Sequence, residues 1–255
     1  MRFASLGSGS RGNGTLVQNG RTAVLIDCGF SLRETESRLS RLGCACGDLS
    51  AVLVTHEHGD HVSGVGALVR KYRLPVWLTA GTLKAAQATI GELPAVNLFS
   101  AHAAFSIDAM LIEPIAVPHD AREPSQFVIG DGRARLGLLT DTGNITPHIR
   151  RCLDGLDALL LEFNHDEQML AAGPYPAVLK RRVGGQLGHL SNRQSADLLR
   201  SIDATRLQHL VAMHLSAQNN TPAHARDCAS QALGCAADWV AIADQDAGLA
   251  WRDVS

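Results

Sequence analysis

The chain has no hydrophobic leader behind Met1-Arg2-Phe3-Ala4-Ser5-Leu6-Gly7 and no apolar stretch of membrane-spanning length. A signal peptide and a transmembrane helix are therefore not expected, and the sequence reads as soluble and cytoplasmic. None of the six cysteines, Cys28, Cys44, Cys46, Cys152, Cys228 and Cys235, forms a C-x-x-C pair. That removes the common zinc-ribbon and dithiol spacings, and Cys44-Ala45-Cys46 is too tight for a usual zinc pair. Free, mostly buried thiols in a reducing compartment are expected. The formal net charge is only −2, so there is no global field to gather nucleic acid. Glycine-rich residues 7–14 are not followed by Gly-Lys-Ser/Thr, which excludes a P-loop and leaves a turn or a backbone anion nest. No linker or low-complexity tract breaks the 255 residues, and a single domain over 1–255 is expected. A hydrophobic share of 45% suffices for a substantial core.

Against this plain background stands Thr55-His56-Glu57-His58-Gly59-Asp60-His61, directly after the apolar run Ala51-Val52-Leu53-Val54. Three imidazoles and a carboxylate so close together offer little to a fold and much to a divalent metal. In extended backbone His56 and His58 point to one side, because side chains alternate with period two. A turn at Gly59 lets Asp60 and His61 approach the same point from another direction. The arrangement suits two adjacent metals better than one. A charged loop after a buried strand is the plain alternative.

Short strands are expected over 2–6, 15–18, 22–27, 51–55, 76–79 and 96–100, with helices over 32–42 and 83–90 and a helix starting at His61. The second half repeats the order. A hairpin is expected over 104–117, strands over 127–130, 136–139 and 158–161, and a helix over 146–152. Two helices split at Gly173-Pro174 follow, then a capping box at Ser191 and a long helix from Thr221-Pro222. Late strands are expected over 239–243 and 249–251. Polar residues recur just past apolar runs: His119 after Ile115-Ala116-Val117-Pro118, Asp141 after Leu138-Leu139-Thr140, and His214 after Leu210-Val211-Ala212-Met213. Ligand types at the ends of successive buried strands are how a sheet delivers them to one edge. Each one alone is equally well a satisfied strand-end polar group. His102, His148, His209 and His224 lie outside any such pattern.

The H-x-H-x-D-H block with these later residues resembles the signature of the metallo-β-lactamase superfamily. The resemblance implies an α/β fold, a four-layer αβ/βα sandwich of two packed sheets with helices outside. It also implies two divalent ions per chain. His56, His58 and His119 would hold the first, Asp60, His61 and His214 the second, and Asp141 would bridge them. Leu6-Gly7-Ser8-Gly9-Ser10-Arg11-Gly12-Asn13, Glu162-Phe163-Asn164-His165-Asp166, Gly188-His189-Leu190-Ser191-Asn192 and Asn219-Asn220-Thr221-Pro222 are similar to the YycJ/WalJ (VicX-like) group over nearly the whole chain. That group implies phosphodiester hydrolysis with 5′-to-3′ DNA exonuclease character. It is related to the tRNA 3′-processing endonucleases and the phosphoribosyl cyclic phosphodiesterases. The chain has neither a tRNA-clamping insertion nor the inserted domain of the β-CASP branch.

By the same resemblance Asp60, His189 and Glu162 are the catalytic candidates. Asp60 would orient or deprotonate the attacking water. His189 would contact the phosphate or protonate the leaving oxygen, with Glu162 orienting it. A helix-start histidine bound to backbone is the plain reading of His189, and a supporting role that of His165. Imidazole accepts zinc, iron or manganese, and the carboxylates suit manganese. The expected partner is nucleic acid, DNA before RNA, with no membrane. Basic clusters at Arg70-Lys71-Tyr72-Arg73, Arg150-Arg151 and Lys180-Arg181-Arg182 are candidate contacts, though most charge runs are solvated faces. A hydrolase of small cyclic phosphodiesters, thioesters or lactones is the enzymatic alternative. A non-catalytic nucleic-acid-binding module with a relic metal site is the other, and the complete ligand set argues against it.

Overall fold

A computed structural model describes residues 1–255. The pattern of burial along its central strands sets the layers. In β4 (Ala51–Leu53), Ala51 and Leu53 point into one apolar cluster while Val52 and the following Val54 point into another. In β11 (Ala158–Glu162), Ala158 and Leu160 join that first cluster while Leu159 and Leu161 join a third. Strands apolar on both faces must be covered on both. The shared cluster, with Phe3, Val24 and Ile26 from one sheet and Ile112, Phe127 and Val211 from the other, is the seam between two sheets. Each outer face is covered by helices.

The first sheet contains β1 (Arg2–Gly7), β2 (Gly14–Asn19), β3 (Thr22–Ile26), β4, β5 (Val76–Leu78) and β6 (Val96–Leu98) in sequence order, with β14 (Leu249–Asp253) added beside β1. β1 to β3 form antiparallel pairs, and β3 to β6 run parallel. The parallel steps need crossovers, supplied by α1 (Leu32–Arg41), by α2 (Gly59–Val62) with α3 (Val65–Tyr72), and by α4 (Ala80–Ile90). The second sheet repeats the plan. β7 (Phe105–Ile107), β8 (Met110–Ala116), β9 (Ser125–Gly130) and β10 (Arg135–Leu139) are antiparallel neighbours, after which β10, β11, β12 (His209–Met213) and β13 (Ala241–Ile242) run parallel. Helices α5 (Pro147–Cys152), α8 (Asn192–Ser201) and α9 (Pro222–Leu233) bury Ile149, Leu198, Leu199, Ala225 and Ala229 against its outer face. Between β11 and α8 lie two short helices, α6 (Glu167–Ala172) and α7 (Ala177–Val183). This is the expected αβ/βα architecture. No helix is long and apolar enough to cross a membrane.

Three local expectations are corrected. The helix expected from His61 is two helices, because the chain bends at Ser63-Gly64, where a Cβ on Gly64 would collide with the Phe30 carbonyl and the Cys28 sulfur. The strand expected over 239–243 is a 3₁₀ turn, Ala237–Trp239, followed by two strand residues, with Trp239 39% exposed rather than packed. Only Cys28 and Cys46 are buried; the other four thiols are half-buried, and all six are free.

Candidate metal centre

Strand ends converge on one edge of the sandwich. β3 leads into Asp27, β4 into Thr55 and His56, β8 into Pro118 and His119, β10 into Asp141, β11 ends at Glu162, and β12 leads into His214. Asp27, Asp141 and His214 have φ of 61°, 51° and 53°, the left-handed region. Non-glycine residues enter it rarely, and such residues cluster at functional sites. The backbone turns there aim these side chains across the sheet edge instead of continuing the strand.

Four groups of three donor atoms each lie within 4.8 Å of one another: His56/His58/His119, His56/His61/Asp141, Asp60/His61/His214 and Asp141/His189/His214. The first and third are the two triads named from sequence. Asp141 belongs to the groups that adjoin both, so all seven predicted ligands lie together. His189, read as a phosphate-contacting residue, also falls within donor reach of Asp141 and His214.

Each ring is oriented by a second contact. His61 Nδ1 lies 2.7 Å from Asp27 Oδ2, and His56 Nδ1 lies 2.9 Å from the Thr55 hydroxyl, which donates to the same carboxylate. His119 Nδ1 donates to the Gly188 carbonyl at 3.0 Å. The opposite nitrogens of these rings are thereby left for the centre, the pattern that fixes tautomer and basicity in metal-binding histidines. Asn13 Nδ2 lies 3.2 Å from Asp60 Oδ2, and Ser8 Oγ accepts the His214 amide at 2.9 Å. Loop 7–14 spends its Gly9, Arg11, Gly12 and Asn13 amides on bonds within the protein, and it buttresses Asp60, His61 and His214. A Cβ on Gly29 would collide with the Asp60 carbonyl, so glycine there permits the close packing of the segment after β3 on α2. Sequence reasoning missed Asp27, Asn13 and Ser8. Asp27 carried the usable signal, since it too is polar at the end of a buried strand.

The donor set fits a divalent ion. His56 Nε2 is buried without a hydrogen-bond partner, and Asp141 Oδ2 is buried among ring nitrogens alone, 3.1 Å from His214 Nδ1 and 3.4 Å from His61 Nε2. Buried polar atoms are seldom left so, and converging imidazole nitrogens and carboxylate oxygens are what zinc, manganese or iron satisfies. The electrostatics of Asp141, His56 and His119 agree. Burial works against the Asp141 charge, but His214 and His61 outweigh it and hold the carboxyl well below its usual range, ionised. Burial lowers His56 and His119, keeping them neutral. Burial also opposes charge on His61, yet the Asp141 and Asp27 carboxylates raise it well above the usual imidazole range.

At the rim, His189 Nδ1 is 2.7 Å from Glu162 Oε1 and 3.6 Å from Asp141 Oδ1. Glu162 is fully buried and accepts the Leu190 amide at 3.1 Å and the Thr142 amide at 3.2 Å on its other oxygen. Burial would lower His189, but Glu162, then Asp141 and Asp60, push it up to about 9. His189 and Glu162 are thus a bonded pair, not a helix-start histidine tied to backbone. His189 lines a recess of about 370 Å³ together with His58, Asp60, His214 and Arg182, with Glu162 buried behind it. Of the three basic clusters only Lys180-Arg181-Arg182 reaches this region. Arg70 donates to the Ile90 and Glu92 carbonyls, and Lys71 pairs with Glu36, away from the centre.

Comparison with known proteins agrees with this geometry. The family model described as the beta-lactamase superfamily domain matches residues 22–215. The chain is 35% identical over 235 residues to the exodeoxyribonuclease YycJ of Bacillus anthracis, covering 91% of this chain and 89% of that protein. The metallo-β-lactamase fold protein YhfI of Bacillus subtilis superposes with a TM-score of 0.75 at 16% identity, covering 99% of both chains. Zn²⁺-bound PqqB of Methylobacterium extorquens superposes with a TM-score of 0.72 at 18% identity, covering 100% of both.

Proposed function

The chain belongs to the metallo-β-lactamase superfamily, and on that premise we propose that it is a two-metal phosphodiesterase, an exonuclease acting on DNA in the 5′-to-3′ direction. We read residues 1–255 as one domain, because the apolar seam is built by both sheets together. The observation that carries the functional reading is the pairing of a seven-ligand cradle with the Glu162–His189 dyad at its rim. The identity to an exodeoxyribonuclease over nine tenths of the chain supports the choice of DNA.

His56, His58 and His119 would hold one ion, Asp60, His61 and His214 the other, with Asp141 between them. Two divalent ions there would supply Lewis-acid stabilisation of the charge that builds on a phosphodiester and would lower the pKa of water. The protein's own groups do the rest. Asp60, steadied by Asn13, orients the attacking water and accepts its proton. Glu162 fixes His189 through Nδ1, leaving Nε2 to donate a proton to the leaving oxygen. Arg182 lines the recess, where its Nε lies 2.6 Å from Asp120 Oδ2.

A panel of duplex DNA, single-stranded DNA, RNA and small esters, assayed with manganese and again after chelation, tests the reading. DNA cleavage from one end, lost on chelation, is expected. Hydrolysis of cyclic phosphodiesters, thioesters or lactones with no cleavage of DNA would replace it.

A further inference from the structure

Helix α7 divides two recesses. Leu179, Arg182 and Val183 line the metal recess, while Lys180, Arg181 and Gly184 line a second one of about 480 Å³, with His165 and Ser191 among its other walls. None of the residues proposed as ligands or catalytic groups lines this second recess.

Its walls are made for an anion that carries a proton. Arg181 is exposed and makes no hydrogen bond or ion pair, and the Lys180 ammonium donates only to the Ala171 carbonyl, at 2.6 Å. Arg193, on the other side, is already held by Glu167 at 3.0 Å, and Glu167 also accepts from Ser191 Oγ. The free positive charge is therefore on the α7 wall. His165 is only 2% exposed. Its Nδ1 donates to Asn164 Oδ1 at 3.2 Å, and the orientation of Asn164 is fixed because its Nδ2 donates to the His214 carbonyl at 3.0 Å. In the neutral ring Nε2 is then an acceptor, and it has no protein partner. Even a Cβ added to Gly184 would stand 3.9 Å away from it, so the glycine leaves it open to the recess.

Building on the nuclease reading, we infer that this recess receives a terminal phosphomonoester of the substrate strand. Such a group has a second pKa of about 6. It offers up to two negative charges to Lys180 and Arg181, and in its monoanion a P–OH proton that Nε2 accepts. An internal phosphodiester has one charge and no proton to give. The spacing agrees. Glu162 and His165 are three residues apart on a segment that runs beside 189–191, with a bridge from His165 to Ser191. The Cα atoms of Glu162 and His165 are therefore at most about 11 Å apart, a separation that a short stretch of strand spans.

The test uses the full chain with Mn²⁺ and oligodeoxynucleotides of one sequence bearing a 5′-phosphate, a 3′-phosphate or hydroxyls at both ends. Charge-assisted hydrogen bonds of this kind are worth about tenfold or more in affinity. Wild type should show at least that preference in kcat/KM for one phosphorylated end over the hydroxyl ends. Lys180→Ala/Arg181→Ala and, separately, His165→Asn should bring the ratio close to one. Because it is a ratio, it does not depend on the amount of folded enzyme. Equal kcat/KM for all ends in wild type, or a preference that both variants retain, overturns the inference. A KM raised equally for all ends in the variants assigns the recess to an internal phosphate and overturns it too. If wild type cleaves bis(4-nitrophenyl) phosphate and DNA without end preference, only the recess has been misread. If it cleaves no phosphodiester, the nuclease reading falls and takes this inference with it.

Discussion

His189 Nδ1 stands 2.7 Å from Oε1 of Glu162, a carboxylate that is fully buried and accepts two backbone amides on its other oxygen. Glu162 is immobilised by the fold, and His189 by Glu162. A ring held in this way presents Nε2 to the recess without searching for it, the positioning that general acid catalysis requires. His189→Ala should slow phosphodiester hydrolysis by about 10²–10⁴-fold while leaving metal content unchanged. Glu162→Gln should have a smaller effect, chiefly on kcat. Elemental analysis beside steady-state kinetics checks both, and wild-type rates from His189→Ala would remove it from the mechanism.

Asp27 acts one step further out. Its Oδ2 is 2.7 Å from His61 Nδ1 and 2.8 Å from the Thr55 hydroxyl that touches His56. It therefore orients one ring of each proposed metal triad without itself being a ligand. Asp27→Asn should weaken metal affinity by about 10–100-fold, read by competition with a chromogenic chelator. Activity should be recovered when metal is raised. Unchanged affinity would make Asp27 a purely structural strand-end residue.

Cys28 gives a prediction from pH. Burial, eased slightly by Thr35, pushes its thiol up to about 12. A group whose pKa is raised on folding stabilises fully below its unfolded value and loses that contribution as pH rises towards the folded one. The window here runs from about pH 9, the unfolded thiol, to about 12. Wild type should lose denaturant stability faster than Cys28→Ala across that range, and the two should run parallel below it. Parallel curves throughout would contradict the buried, neutral thiol.

The metal cradle was legible because its chemistry is local. His56, His58, Asp60 and His61 are crowded within six residues, and His119, Asp141 and His214 each follow an apolar run that only a buried strand explains. The two-sheet plan was legible for the same reason, since the apolar runs recur in the same order in both halves. What stayed hidden depends on contacts between distant segments. The role of Ser8 and Asn13 appears only when loop 7–14 meets residues 60 and 214. The bend at Gly64 arises from its packing on Phe30, not from its own neighbours. β13 is shorter than the apolar pattern implies, because Trp239 reads as a strand residue although it lies on the surface.

On the reading proposed above, hydrolysis needs two ions in one cradle. Chelated protein should be titrated with Mn²⁺ while bound metal and DNA cleavage are followed in the same samples. Binding should saturate near two ions per chain, with cleavage rising as the second site fills, and Asp60→Ala should stop near one ion and remain inactive. Saturation at one ion per chain with full activity, or cleavage that persists without metal, would contradict the account.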